Sequence, residues 1–284
     1  MTEQIIVNGV LSSLVYVTMA LGFTLIFGIM RIVNFAHGEF YMLGAVVVFL
    51  LFGAYGLPFF VAVAAGGLVS ATLGVVVERL LVRPLVGDEL AGMIMTLGVG
   101  IILQALVLIA LGPAEQTLRR PFTGTWNFAG AVVPWDRTVV AVCALAILAA
   151  FYLFLEHSRL GLAMRAVAQD PETASLMGIE PGLIYASAFA VAALLAGLAG
   201  GLMAPVYTVG AYMGHLPMLK SFVVVILGGL GSIPGAVLGG FLIGLTESAL
   251  TTHWGSVPAL IASFGIVLFV ILLRPAGLMG KSVR

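Results

Sequence analysis

Nine apolar runs, at about 5–30, 39–56, 58–82, 90–111, 138–156, 182–206, 218–230, 235–252 and 257–273, occupy most of the chain. Most approach the ~20 residues that an α-helix needs to cross a bilayer. In hydrocarbon every backbone N–H and C=O must find its partner inside the protein, so a spanning segment is either a helix or a strand of a closed barrel. Barrel strands are short and alternate apolar with polar residues, whereas these runs are long and continuous. The expected fold is all-α: a polytopic helical membrane protein of about eight or nine spans, forming one transmembrane domain over residues 1–284. Runs 218–230 and 235–252 are short and glycine-rich, so one or both are expected to be broken or re-entrant. Composition agrees, because 8% of residues are charged against about a quarter in a soluble domain.

Several classes of chemistry are excluded early. Net charge is zero, which gives no argument for nucleic acid. The single cysteine, Cys143, lies in an apolar run; it reads as a small buried thiol and rules out a disulfide framework or a cysteine metal cluster. No basic region precedes the first apolar run, so MTEQ does not read as a cleaved signal peptide. No Ser/His/Asp or paired-carboxylate arrangement is present, and a lone His37 makes no metal site. Two glycine stretches imitate phosphate-binding loops. Gly228–Gly235 has no preceding strand pattern and no lysine at the needed spacing. Gly280-Lys281-Ser282 has Pro275 where the first glycine belongs. Neither qualifies, so no catalytic residue, metal or cofactor is assigned to this chain.

Positive charge sets the orientation. If every run crosses and the C-terminus is inside, Arg31, Arg79, Arg83, Arg159, Arg165, Arg274, Lys281 and Arg284 are cytoplasmic. Arg119, Arg120 and Arg137 then lie outside, a bias of eight to three that puts the N-terminus outside. Glu78 and Arg79 fall at a membrane boundary. The largest external segment is Gly112–Asp136, whose Trp126 and Trp135 read as interfacial anchors or, alternatively, a docking surface.

Between two runs lies the cytoplasmic stretch Ser158–Pro181, SRLGLAMRAVAQDPETASLMGIEP. A short helix is expected over about 160–169. Asp170 then serves as N-cap of a second helix, with Pro171 at its first position and Glu172 adding charge to the first turn. Gly178 suits a left-handed stop, followed by Ile179 and by Pro181, which blocks continuation. The element is either a capped connector or a docking device.

Other polar positions are few. Asn34-Phe35-Ala36-His37-Gly38-Glu39-Phe40-Tyr41 is the densest cluster; Asn34 can cap a helix beginning near Ala36, and His37 and Glu39 are costly to bury unless paired or hydrated. It reads as a cytoplasmic hairpin or as a hinge or gate beside a pathway. Gly229, Gly231 and Ser232 form a second break. An offset of 191 residues relates Gly44-Ala45-Val46 and Arg83-Pro84 to Gly235-Ala236-Val237 and Arg274-Pro275, a possible repeat of 38–87 in 229–278. The two breaks would then correspond, and paired helix interruptions point to a transport site. Lys220 and Glu247 lie in or near membrane segments, where a mutual pair is the first expectation and a proton relay the second. Gly197–Gly201, Gly235–Gly239 and Gly240–Gly244 permit close helix packing.

These stretches resemble the permease subunits of the branched-chain amino acid ABC importers. The resemblance is carried by GFTLIFGIMRIVNFAHGEFYMLGA (22–45), ERLLVRPL (78–85), GLAMRAVAQDPETASLMGI (161–179) and GGLGSIPGAVLGGFLIGL (228–245), and covers nearly the whole chain. Of the family's two permease types it is similar to the shorter, NFAHG-containing one. The resemblance implies that Gly161, Arg165, Ala166, Asp170, Ala174 and Gly178, with Glu172 beside them, belong to a coupling element docking on an ATPase subunit. It also implies a second permease, two cytoplasmic ATPase subunits that bind ATP and Mg, an extracytoplasmic substrate-binding protein, and residence in the bacterial inner membrane. The mechanism would be alternating access, and the sparse membrane charge suits a neutral amino acid, a short amide or urea. An ion-coupled secondary transporter of a small neutral solute would explain Lys220, Glu247 and the breaks but not Ser158–Pro181. A passive channel would explain only the glycines.

Overall fold

The computed structural model describes residues 2–128 and 130–280; Lys281, Ser282 and Arg284 lie outside the described residues. Eleven helices and one small hairpin follow one another. The first is α1 (Thr2–Met30). Next come α2 (His37–Val48), prolonged by π-helical turns over Phe49–Ala54, and α3 (Phe59–Val77), prolonged through Leu85. After them stand α4 (Glu89–Leu111), strands β1 (Thr125–Phe128) and β2 (Ala131–Pro134), and α5 (Trp135–His157). The short α6 (Arg159–Gln169) and α7 (Pro171–Leu176) precede α8 (Pro181–Met203), α9 (His215–Gly228), α10 (Ile233–Trp254) and α11 (Ser256–Leu273). Eight of these segments are long and apolar enough to cross a membrane. The protein is an all-α, multi-pass membrane protein, and among the described residues the antiparallel β1–β2 pair is the one sheet, which apolar periodicity did not announce.

Local chemistry sets the boundaries. Asp88, Ser158 and Ser232 each accept a backbone N–H of the turn they precede, from Ala91, Gly161 and Gly235 respectively, satisfying donors that a helix start leaves open. Within the spans, Ser13, Thr18 and Ser263 donate their hydroxyls to carbonyls four residues back, so they need no partner from lipid.

Two passes are interrupted, and they define the interior. After Met30 the chain turns at Arg31, a non-glycine residue at φ 56°. It then runs back without helix to His37, whose Nε2 lies 3.0 Å from the Met19 carbonyl oxygen. Helix α2 therefore begins level with the middle of α1. The second interruption is 204–214, held by the Gln116–Val209 bridge at the hairpin end, after which α9 begins where Gly214 meets Gly38. Together 204–214 and α9 complete a ninth pass, so Glu3, beside Gly130 of the hairpin, and Gly280, beside Gly229, stand at opposite ends of the bundle. Of the two short runs, 218–230 lies in the short, unbroken α9 and 235–252 in the continuous α10; the break stands before the first of them, at 204–214.

Small residues permit the closest packing. Gly240 and Gly244 of α10 lie against Val17 and Ser13 of α1, and Gly197 of α8 lies against Ser70 and Gly66 of α3. Without a hydrophobic drive between helices in lipid, such approach is what holds a bundle together.

Three details differ from expectation. Asn34 does not cap α2: its Oδ1 takes the N–H of Ala36 at 3.0 Å, and the residue at the helix start, Ala36, has no side chain to cap with. Cys143 is only partly buried. Glu78 is fully buried among protein groups and bound twice by Arg83 at 3.0 Å, a pairing the sequence did not announce.

Candidate functional site

Three features converge on function: the paired interruptions, a cavity above them, and the α6–α7 element at the far end.

The first interruption carries the cluster read from the sequence. Asn34, His37, Glu39 and Tyr41 are all buried, and His37 lies against Met19 at the middle of α1, so the cluster is drawn inside the bundle. The sequence pointed to these residues but not to what holds them. On α4, Thr96 accepts the N–H of Phe35 at 3.1 Å, and Gln104 donates to Glu39 Oε1 at 2.7 Å. Gln104 Nε2 also lies 2.7 Å from His215 Nε2 at the start of α9. The signal was available: Gly92, Thr96, Gly100 and Gln104 recur every four residues, the spacing of one helix face. The second sequence-derived break is elsewhere. Gly229, at φ 103°, packs on Gly277 and Gly280; Gly231, at φ 80°, faces Gly28; Ser232 caps α10. These three residues lie at the α6–α7 end, so the structure does not bring them together with His37 and Glu39.

Above the interruptions, toward the hairpin end, lies an open cavity of about 400 Å³. Its wall from α1 runs from Leu11 to Met19 and no further, so it ends where α2 and α9 begin. The remaining lining includes Tyr41, Met203, Tyr207, Tyr212 and Leu216. Lys220 reaches it from α9. That ammonium is paired with Glu247 of α10 and also donates to the Tyr16 hydroxyl at 2.7 Å, while Tyr16 donates to Glu247 Oε2 at 2.9 Å. The mutual pair anticipated for Lys220 and Glu247 therefore exists, and Tyr16 completes it. No sequence spacing links a tyrosine 204 residues from its lysine. Two charged residues stand at the mouth, Glu115 and Arg137.

The α6–α7 element is built as its sequence implies. Asp170 accepts the N–H groups of Glu172 and Thr173 at 2.9 and 3.1 Å and the Thr173 hydroxyl at 2.6 Å. The hydroxyl, with the two N–H groups, holds the Asp170 carboxyl below the usual aspartate range. At the other end Gly178 stands at φ 84°. Its N–H binds Ser175 O, and Ile179 N–H binds Ala174 O, the paired bonds of a Schellman stop. Gly161, Met164 and Val167 bury one side of α6, Ala166 is half-buried, and Ala174 buries α7. Arg165 is turned to Glu156. Outward stand Glu172, exposed, and Leu176 and Met177, 87% and 79% exposed; these two large apolar side chains at a polar tip were not singled out from the sequence. Just past the element, Arg83 donates to Gly182 O in the first turn of α8 at 2.6 Å while gripping Glu78.

Comparison with known proteins gives these features a setting. The family profile described as "Branched-chain amino acid transport system / permease component" matches residues 5–273. The high-affinity branched-chain amino acid transport system permease protein LivH of Escherichia coli K12 is 33% identical over 290 residues, 96% of this chain and 94% of its own. The corresponding protein BraD of Pseudomonas aeruginosa is 33% identical over 293 residues, 98% and 95%. The permease protein LivM of Escherichia coli K12 is 29% identical over 294 residues, 94% of this chain and 68% of its own. No solved structure matches the chain.

Proposed function

Because the chain belongs to the branched-chain amino acid transport permease family, we propose that it is a membrane subunit of an ATP-driven importer of branched-chain or other neutral amino acids. The observation that carries this reading is the α6–α7 element: two capped helices ending in a fixed stop, with Leu176 and Met177 bare at the tip. A passive connector has no use for exposed apolar side chains, whereas a groove on a cytoplasmic ATPase does.

In this reading the chain sits in the bacterial inner membrane and forms half of the pathway with a second permease. Two ATPase subunits hold ATP and Mg, and an extracytoplasmic binding protein delivers substrate at the hairpin end. The cavity is the outward vestibule, and the contact of α2 with α9 closes its floor. ATP binding would move α6–α7, and the Arg83 grip would pass that motion to α3 and α8. Only contacts that differ between the two states can do such work. Ion coupling finds less support, since Lys220 and Glu247 are satisfied by one another.

The test is co-expression with the adjacent transporter genes, purification, and uptake of leucine, isoleucine and valine into vesicles with and without ATP. Uptake that ignores ATP, or follows an imposed ion gradient, overturns the reading.

A further inference from the structure

The cavity mouth holds two opposite charges that have no ion-pair partner among the described residues. Glu115, in the segment after α4, accepts only the Thr208 hydroxyl, at 2.6 Å. Arg137, in the first turn of α5, has only a long 3.5 Å contact with Asn8 Oδ1. The neighbouring charges are engaged: Asp136 lies 3.5 Å from Arg120, and Lys220 and Glu247 pair at the floor. The rest of the wall is mainly apolar, with Leu11, Val15, Met19 and Met203, and carries Ser12 and the rings of Tyr41 and Tyr207.

From this arrangement we infer that Arg137 and Glu115 read the head group of a zwitterionic α-amino acid entering the vestibule, Arg137 taking its carboxylate and Glu115 its ammonium. An aliphatic side chain then points inward between Val15 and Met203. A guanidinium binds a carboxylate through two parallel N–H donors, and a carboxylate accepts an ammonium, so one residue of each sign fits a zwitterion of no net charge. The volume is within the range of small-molecule pockets, which are mainly apolar with a few placed polar groups. A solute lacking either charge would leave one of the two residues unmatched, and that mismatch is how the site discriminates.

The inference rests on the transport reading above, and the experiment separates the two. Vesicles containing the complete transporter are supplied with leucine-loaded binding protein, and ATP-driven leucine uptake is measured for Arg137→Gln, Glu115→Gln, Arg137→Lys and the exchanged pair Arg137→Glu/Glu115→Arg. Docking of the binding protein and its stimulation of ATP hydrolysis are measured in parallel. Each glutamine variant should lose at least tenfold in uptake with docking and stimulation unchanged. Arg137→Lys, which keeps the charge but loses the paired donors, should fall between wild type and Arg137→Gln, and the exchanged pair should exceed either single glutamine variant. Full uptake by both glutamine variants overturns the inference alone. A loss that tracks lost docking also overturns it, assigning the charges to the binding protein instead. A wild-type complex that moves no amino acid overturns both readings.

Discussion

Gly38 and Gly214 meet backbone to backbone: a Cβ built on Gly38 would lie 2.6 Å from the Gly214 carbonyl oxygen and 2.7 Å from Met218 Cβ. The contact joins the starts of α2 and α9. Gly38→Val should destabilise the protein by about 1–3 kcal/mol through overpacking and should impair uptake. Gly98, on α4, has open space around its Cβ position, so Gly98→Ala serves as the control. Equal thermal unfolding of Gly38→Val and Gly98→Ala would remove the case for this contact.

The Lys220–Glu247–Tyr16 group gives a second prediction. Removing one partner of a buried pair leaves a charge without compensation and costs about 3–5 kcal/mol. The side chains here retain 20% and 16% exposure, which places Glu247→Gln at about 3 kcal/mol or below. Lys220→Met/Glu247→Leu should recover most of that loss. Thermal unfolding of the singles and the double decides it; a double variant as unstable as the worse single would mean the pair matters for more than charge balance.

The sequence revealed the spans, the Asp170 cap and the stop because each is written in local periodicity or in one residue type with one conformational use, such as Gly178 at positive φ; the cap it suggested at Asn34 did not form. It also showed that His37 and Glu39 were unusual. The four-residue spacing of Gly92, Thr96, Gly100 and Gln104 marked one face of α4, but not which residues it would meet. Gln104 is 65 residues from Glu39, and Tyr16 is 231 residues from Glu247. The extended turn back from Arg31 to His37 was likewise hidden, since a polar cluster between apolar runs looks the same whether it faces water or is drawn into the bundle. The pairing of Glu78 was hidden for that reason: its burial depends on Arg83 folding back over it, which no apolar pattern records.

Sidedness follows from the two ends of the bundle. Thr173 is exposed at the start of α7, and Thr125 is exposed on β1 at the opposite end. In a Cys143→Ser background, Thr173→Cys should react with an impermeant thiol reagent only from the cytoplasmic face, and Thr125→Cys only from the external face. Reaction of both from one face would reverse the orientation on which the docking role of α6–α7 depends.

The cap at Asp170 predicts a pH dependence. Its folded-state pKa is lowered by the Thr173 hydroxyl and the two backbone N–H groups. Whatever the cap contributes is therefore present above the ordinary aspartate pKa, about 3.9, and is lost as pH falls through the lowered value. The amide signals of Glu172 and Thr173 should titrate together with a midpoint below 3.9, and Asp170→Asn should abolish that titration. A midpoint at or above the ordinary value would show that the three hydrogen bonds do not persist in the membrane-embedded protein.

The stop at Gly178 gives the sharpest test of coupling. No heavy atom lies within 4 Å of its Cβ position, so a side chain would have room, but φ is 84°. Gly178→Val should cost on the order of 1–3 kcal/mol through backbone strain alone. That is too little to prevent insertion of nine passes, yet it falls on the turn fixing where α7 ends and α8 begins. A slip of one residue would rotate Leu176, Met177 and Glu172 away from whatever they dock against. Gly178→Asn should be milder, because asparagine visits the left-handed region with less penalty than a β-branched residue. The measurement is ATP hydrolysis stimulated by substrate in vesicles containing the assembled transporter, with expression and assembly checked for each variant. Wild-type stimulation should fall in the order glycine, asparagine, valine. Full stimulation in Gly178→Val would reduce the α6–α7 element to a connector between two spans.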